Sequence, residues 1–229
     1  MRPPRGRTPY RPRALTANRR RGPAESLREE GDGKAGAQTA STTSVQSVRN
    51  DPPAWIQHAR DGWHHRGEQR PPFAEDPGPG QESVWDYPRP PVVVPDRRAV
   101  QVAQAEGLVA STDRSVRVLE TSHPPAFYLP PESVISGRLV RVPGSSHCEW
   151  KGAAEYVAIA GTTEPVGWRY PDPYPQFVDY AGWISFYPGR VHCTVDGELV
   201  RPQAGGFYGG WITDDLVGPF KGEPGTSGW

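Results

Sequence analysis

A few side chains between positions 116 and 151 have the types and spacing to do chemistry together. Val116, Val118 and Glu120 share parity, so an extended segment projects all three from one face. A carboxylate on an otherwise apolar face is costly unless a cation meets it or the face opens into a pocket. Glu149 and Lys151, two residues apart, share a face of a strand read over Cys148 to Lys151. With uninterrupted pairing they share parity with Val157 and Ile159, although Gly152-Ala153-Ala154 is a candidate bulge in that register. Lys151 is then the natural partner of Glu120 across the interior. In an enzyme, Glu120 would serve as general base and Lys151 as electrophilic or proton-transfer partner. Lys151 and Lys221 are the two lysines after residue 80, where arginine is otherwise the rule. That choice points to a need for a compact, titratable ammonium at Lys151.

Around this pair stand the candidate binding residues. Trp85, Tyr128, Trp150 and Trp211 supply aromatic walls, and Arg89 and His123, in proline-rich loops, could contact an anion. Glu149 belongs to the same cluster. Cys148, between His147 and Glu149, is either a thiol activated by a nearby cation or a small buried apolar residue. A Cys148–Cys193 disulfide stays open at this stage, though a reducing setting disfavours it. Three readings remain: a pocket for a small anionic or polar aromatic ligand, an enzyme working on the same site, and a structural module in which Glu120 and Lys151 only fix strand order.

Other chemistries find less support. His147-Cys148 and His192-Cys193 are adjacent pairs, and neighbours on a strand face opposite sides, so each lends one ligand to a given face. Without Cys-x-x-Cys knuckles, no metal site is expected, and no cofactor either. Neither a Walker loop nor a dinucleotide-binding glycine pattern is present.

The elements that must position these residues are short strands. Leu108–Ser111 and Ser115–Glu120 read as strands joined through Thr112-Asp113-Arg114 as a hairpin. Further strands are expected over 127–129, 138–142, 148–151, 156–160, 184–187 and 191–195. Asp196-Gly197 is the strongest hairpin signal, returning through Glu198-Leu199-Val200. Pro175–Ala181 reads as a helical turn, and Trp55, Ile56, Ala59 and Trp63 have the spacing of one short amphipathic helix within what otherwise reads as a linker. Strands at intervals of about 8–12 residues, separated by turns, predict an all-β sandwich or barrel-like domain.

Composition divides the chain. Residues 1–80 carry 14 Lys+Arg against 9 Asp+Glu, and residues 81–229 carry 12 against 17, so the formal neutrality is a cancellation. The first 22 residues hold eight arginines and no acid. Few aliphatic residues precede Val84, so residues 1–80 are expected to be a disordered Arg/Pro/Gly-rich arm and linker, with the folded domain over 81–229. Nonspecific, salt-sensitive contact with nucleic acid is the most that residues 1–22 would make. No apolar run suits a membrane span or an export signal, and two cysteines fit a reducing cytoplasm.

Several motifs together resemble one bacterial family. They are Glu82-Ser83-Val84-Trp85-Asp86-Tyr87-Pro88-Arg89-Pro90, Leu119-Glu120-Thr121, Pro124-Pro125-Ala126-Phe127-Tyr128-Leu129-Pro130-Pro131, Cys148-Glu149-Trp150-Lys151-Gly152 and Tyr187-Pro188-Gly189-Arg190-Val191. The family is known as domain of unknown function 427. Phe207-Tyr208-Gly209-Gly210-Trp211-Ile212-Thr213 and Gly218-Pro219-Phe220-Lys221-Gly222 resemble an extension carried by many members. The resemblance, over about residues 82–229, implies a β-tent-like, mostly antiparallel pseudo-barrel with one or two short helices and no established activity. A nucleotidyltransferase-like label sometimes attached to the family implies metal-binding carboxylates and a phosphate-cradling loop. The residues do not supply them: Gly144-Ser145-Ser146 lacks a following Asp-x-Asp, and Asp214 and Asp215 are adjacent, so they point apart if extended.

Overall fold

The structure, a computed structural model, describes residues 50–105 and 107–229. The arginine-rich arm and its expected nucleic-acid contact, residues 1–22, lie outside the described residues. The described residues belong to one compact unit. Its first element is α1 (Trp55–Asp61), which starts after Pro52-Pro53 and buries Ile56. The compact unit thus includes residues 50–80, ahead of the domain start expected at residue 81. Residues 50–80, read as a linker, pack within the unit: the Glu75 N–H donates to the Gly218 carbonyl (2.9 Å) and Arg60 Nε to that of Glu149 (2.9 Å). The linker expectation rested on aliphatic content, which takes no account of backbone hydrogen bonds, of a charged side chain such as Arg60 or of an aromatic one such as Trp63.

The rest is mostly β. A short parallel pair joins β1 (Glu82–Ser83) to β15 (Leu216–Val217), tying the first strand to the last. β2 (Val92–Asp96), β5 (Ser115–Leu119) and β6 (Ala126–Tyr128) form an antiparallel sheet in the order β2-β5-β6. β2 is its edge, the place where Pro95 costs no ladder hydrogen bond. A second sheet runs β12-β11-β3-β4, from β3 (Val100–Gln104), β4 (Gly107–Thr112), β11 (His192–Val195) and β12 (Glu198–Leu199). A third runs β10-β9-β8-β7, from β7 (Leu139–Cys148), β8 (Gly152–Ile159), β9 (Pro165–Arg169) and β10 (Ile184–Phe186). The bridge Leu129–Ile184 joins β6 to β10, and β13 (Arg201–Pro202) pairs with β14 (Trp211–Ile212).

The expected all-β, mainly antiparallel class is what is observed, with local differences. Asp196 (φ 48°) and Gly197 (φ 84°) make the anticipated tight turn between β11 and β12. Thr112-Asp113-Arg114 does not close a hairpin: β4 pairs with β3, whereas β5 pairs with β2 and β6, so this turn passes the chain between sheets. Cys148 ends β7, and Glu149-Trp150-Lys151 form a turn rather than a strand. The bulge on β7 lies between Val142 and Ser145, not at Gly152-Ala153-Ala154.

The strands around the third sheet are two-faced. On β6, Phe127 enters a sealed core with Leu129, Val157, Ile159, Phe186, Cys193 and Trp211, while Tyr128 faces a second, aromatic cluster with Trp150, Trp168, Tyr170 and Phe177. β8 alternates in the same way, Ala154 and Tyr156 to the aromatic side and Val157 and Ile159 to the sealed side. A register shift against β8 makes Val166 an extra residue on β9, so Val166 and Trp168, of equal parity, reach opposite sides. Val116 and Val118 complete the aromatic cluster from β5. Among the described residues no helix is long and apolar enough to cross a membrane.

A chain starting at residue 81 lacks Arg60 and Trp63 and leaves the Glu149 turn uncovered. Chemical denaturation is expected to give it a lower midpoint than a chain starting at residue 50. Equal midpoints would show that residues 50–80 add nothing to stability.

Candidate functional site

The aromatic cluster opens into a cavity of about 150 Å³. Val118 borders it from β5, the next residue of equal parity, Glu120, from the loop leaving β5, and Tyr128 from β6. Cys148, Glu149 and Lys151 border it from the end of β7 and the following turn, and Trp168 and Tyr170 from β9 and just beyond. His123 and Gln203 close one side, with Phe207, Tyr208, Gly209 and Gly210 of the β13–β14 turn. Glu120 thus lies on the cavity side with Val118, as their shared parity implies. Glu149 and Lys151 also share a cavity, but through the geometry of a turn.

The partner expected for Glu120 is not Lys151. Arg89 Nε lies 3.1 Å from Glu120 Oε1, and the Trp150 indole donates to the same oxygen (3.2 Å). The Arg89 side chain is fully buried; its other nitrogens donate to the carbonyls of His65 (3.0 Å) and Thr121 (2.8 Å). Its guanidinium also lies 4.4 Å from the Trp63 ring centroid. Burial lowers the Arg89 pKa, and Glu120 only partly opposes that shift. Trp63 meets a second cation on its ring, Lys221 Nζ at 3.9 Å, and its indole donates to Glu149 Oε1 (3.0 Å). One indole therefore links two cations and a carboxylate.

Lys151 has no carboxylate within ion-pair distance among the described residues. Its ammonium sits 5.5 Å from the Phe177 ring and 5.8 Å from that of Tyr170. Burial opposes its charge, but the ionisable groups around it outweigh burial and raise its pKa: Cys148 and Tyr128 when ionised, Glu120 and Glu149 through their carboxylates. Burial pushes the Cys148 thiol up, with Lys151 opposing, and it also raises the Tyr128 phenol. The Tyr128 hydroxyl accepts from Trp168 Nε1 (3.0 Å).

His123 is held neutral. Burial pushes its pKa well below the usual range, and Lys221, Arg89 and Lys151 add to the effect. The Gln203 carbonyl oxygen accepts from the Gly210 N–H (3.0 Å), so its amide nitrogen is the group facing both the Lys221 carbonyl (2.6 Å) and His123 Nδ1 (3.2 Å). Nδ1 must accept there, which puts the His123 proton on Nε2.

Trp85, Trp150 and Trp211, expected as walls, do not border the cavity; Trp150 lies in the aromatic cluster and reaches the site only through its hydrogen bond to Glu120. Trp85 packs edge-on against Phe73, His65 and Trp229 in a separate core, and Trp211 stacks on Phe127 in the sealed one. Arg89 acts behind the wall, through Glu120. Cys148 borders the cavity and Cys193 lies in the sealed core, both as free thiols. Among the described residues no group of three or more His, Cys, Asp or Glu is placed to hold a metal ion. Sequence reasoning missed Trp63, Gln203, Phe207 and Lys221 as parts of the site. The scarcity of lysine that singled out Lys151 applies equally to Lys221 and could have found it. Nothing local distinguished Trp63 from any aromatic in a linker.

Residues 92–197 match the family described as a domain of unknown function (DUF427). No curated protein matches the chain. The matched region contains Glu120, His123, Tyr128, Cys148, Glu149 and Lys151. Trp63, Arg89, Gln203, Phe207 and Lys221 lie outside it.

Two stability experiments follow. Arg89→Met strands Glu120 in a largely buried position and is expected to cost about 3–5 kcal/mol in denaturant unfolding. A double variant with Glu120→Leu should recover much of that loss. Lys221 is 1% exposed and its pKa is lowered to about 8, chiefly by burial and then by Arg89. Above pH 8 the folded chain has lost this proton while the unfolded chain, near 10.5, keeps it, so stability rises with pH. Between pH 8 and 9.5 the rise should be roughly 1 kcal/mol per unit and should flatten in Lys221→Met. An unchanged slope in that variant would assign the rise to other groups.

Proposed function

Since residues 92–197 carry a DUF427 domain, whose description names no activity, we propose that this protein binds a small anionic molecule in the cavity bordered by Glu120, Tyr128 and Lys151. The supporting observation is an unpartnered ammonium at the cavity wall. Glu120 is taken by Arg89 and the Trp150 indole, and Glu149 by the Trp63 indole, whereas Lys151 has neither an ion pair nor a side-chain hydrogen bond among the described residues. An ammonium that the surroundings keep charged, and whose donors are unused, can give charge-assisted hydrogen bonds to an anionic ligand.

Acid–base or covalent catalysis has weaker support. A carboxylate shared by a guanidinium and an indole is a poor general base, and an ammonium held charged is neither base nor nucleophile. The raised Cys148 thiol is likewise a poor nucleophile at neutral pH. His123, neutral with its proton on Nε2, suits hydrogen bonding to a ligand oxygen. The two free thiols are consistent with a cytoplasmic location.

Thermal shift against small carboxylates and phosphate monoesters, each paired with its uncharged amide or alcohol, tests the reading. The wild-type chain should be stabilised by the anions and not by their neutral counterparts. Lys151→Met should fold and lose the response. Retention of the response in that variant would sink the proposal.

A further inference from the structure

Four residues after Gln203, on the turn between β13 and β14, Phe207 borders the cavity yet is 66% exposed. Gly205 and Gly206 both take positive φ (86° and 68°), a reversal that side chains with a Cβ rarely adopt, and it carries Phe207 outward at the cavity mouth. The turn is held in place rather than loose. Gln203 and Gly210 bond each other twice, through the Gly210 N–H to Gln203 Oε1 (3.0 Å) and the Gln203 N–H to the Gly210 carbonyl (3.3 Å). Gly209 lies flat on Trp168: a Cβ there would fall 2.2 Å from the indole ring. The Tyr208 ring meets His123 edge-on (4.7 Å between centroids, 76°), and Phe207 meets Tyr208 edge-on in turn (5.1 Å, 81°). A path of perpendicular rings thus runs from the cavity wall to solvent, and its last member lacks a partner on its outer side.

Size and lining narrow what could supply that partner. A cavity of about 150 Å³ is the size that holds one benzene-like ring. Its side walls are aromatic, with Tyr128, Trp168, Tyr170 and Tyr208 prominent, and among the described residues Lys151 is the one lysine or arginine that borders it. Planar rings pack favourably against such walls, with a gain beyond area burial that a saturated ring of equal size does not share.

We propose that the ligand is a single planar aromatic ring bearing an acid group, with the acid on Lys151 and the ring covered by Phe207 as the specificity-determining side chain. This rests on the anion-binding reading and names its substrate class. Phe207 comes from outside the matched family region, so the ring preference belongs to the segment after residue 197, while Lys151 belongs to the family domain.

The test is calorimetric titration of the full chain with three probes of similar size: benzoate, cyclohexanecarboxylate and benzyl alcohol. As a fragment, benzoate is expected to bind with a Kd on the order of millimolar. Cyclohexanecarboxylate should bind at least several-fold more weakly, and benzyl alcohol should give no measurable heat. Phe207→Ala, an exposed substitution, should weaken benzoate roughly three- to tenfold and leave cyclohexanecarboxylate unchanged, while Phe207→Tyr retains benzoate affinity. If both acids bind equally well, or Phe207→Ala is without effect, while Lys151→Met still abolishes binding, the ring assignment is overturned and the anion site stands. If neither acid binds the wild-type chain, both fail.

Discussion

The interaction on which the rest of this structure depends is the buried ion pair between Arg89 and Glu120. A fully buried guanidinium is tolerable only when its donors find acceptors, and here a carboxylate and two backbone carbonyls receive them. Those acceptors lie in different stretches of chain. His65 belongs to the segment after α1, and Glu120 and Thr121 to the loop leaving β5. Satisfying one side chain therefore fixes the N-terminal segment against the sheet. Ser122, in that same loop, holds a positive φ (69°), with its N–H on the Val84 carbonyl and its own carbonyl on the Lys221 N–H. Local strain at Ser122 is held by hydrogen bonds to two distant segments, at Val84 and Lys221.

Trp63 extends the arrangement. Its ring carries Arg89 and Lys221, and its indole N–H holds Glu149 at the turn between β7 and β8. The turn that presents Lys151 is thereby positioned from behind, by Trp63 on Glu149 and by Arg60 on the Glu149 carbonyl. What distinguishes Lys151 from Lys221 is how each charge is met. Lys221 Nζ donates to the carbonyls of Ser227 and Trp229 and sits over an indole, whereas Lys151 faces the cavity. The same residue type is structural in one place and available in the other.

Much of the second core was legible in the residues. Period-two alternation on β5 carried Val116, Val118 and Glu120 to one face, and Tyr128 followed on β6 for the same reason. Parity failed where its premise did. Glu149 and Lys151 lie in a turn, and the extra residue at Val166 reverses sides on β9, so neither could be placed by counting. Trp85 and Trp211 show the complementary limit. Their bulk demanded burial, but bulk does not say in which of three cores.

By itself, then, the amino-acid sequence determined the class of fold, the hairpin at Asp196-Gly197, the misfit of a carboxylate on an apolar face, and the need for a cation near it. These follow from local rules: the pleat of a strand, the φ demanded by a turn, the cost of desolvating a charge. Which cation answers Glu120 was decided only by the tertiary structure. Arg89 lies 31 residues away along the chain and wins because its planar donors reach a carboxylate and two carbonyls at once, a geometry that a single ammonium at Lys151 could not satisfy. Because Arg89 takes Glu120, Lys151 is left facing the cavity. No local pattern encodes that vacancy, since it depends on where three distant segments meet.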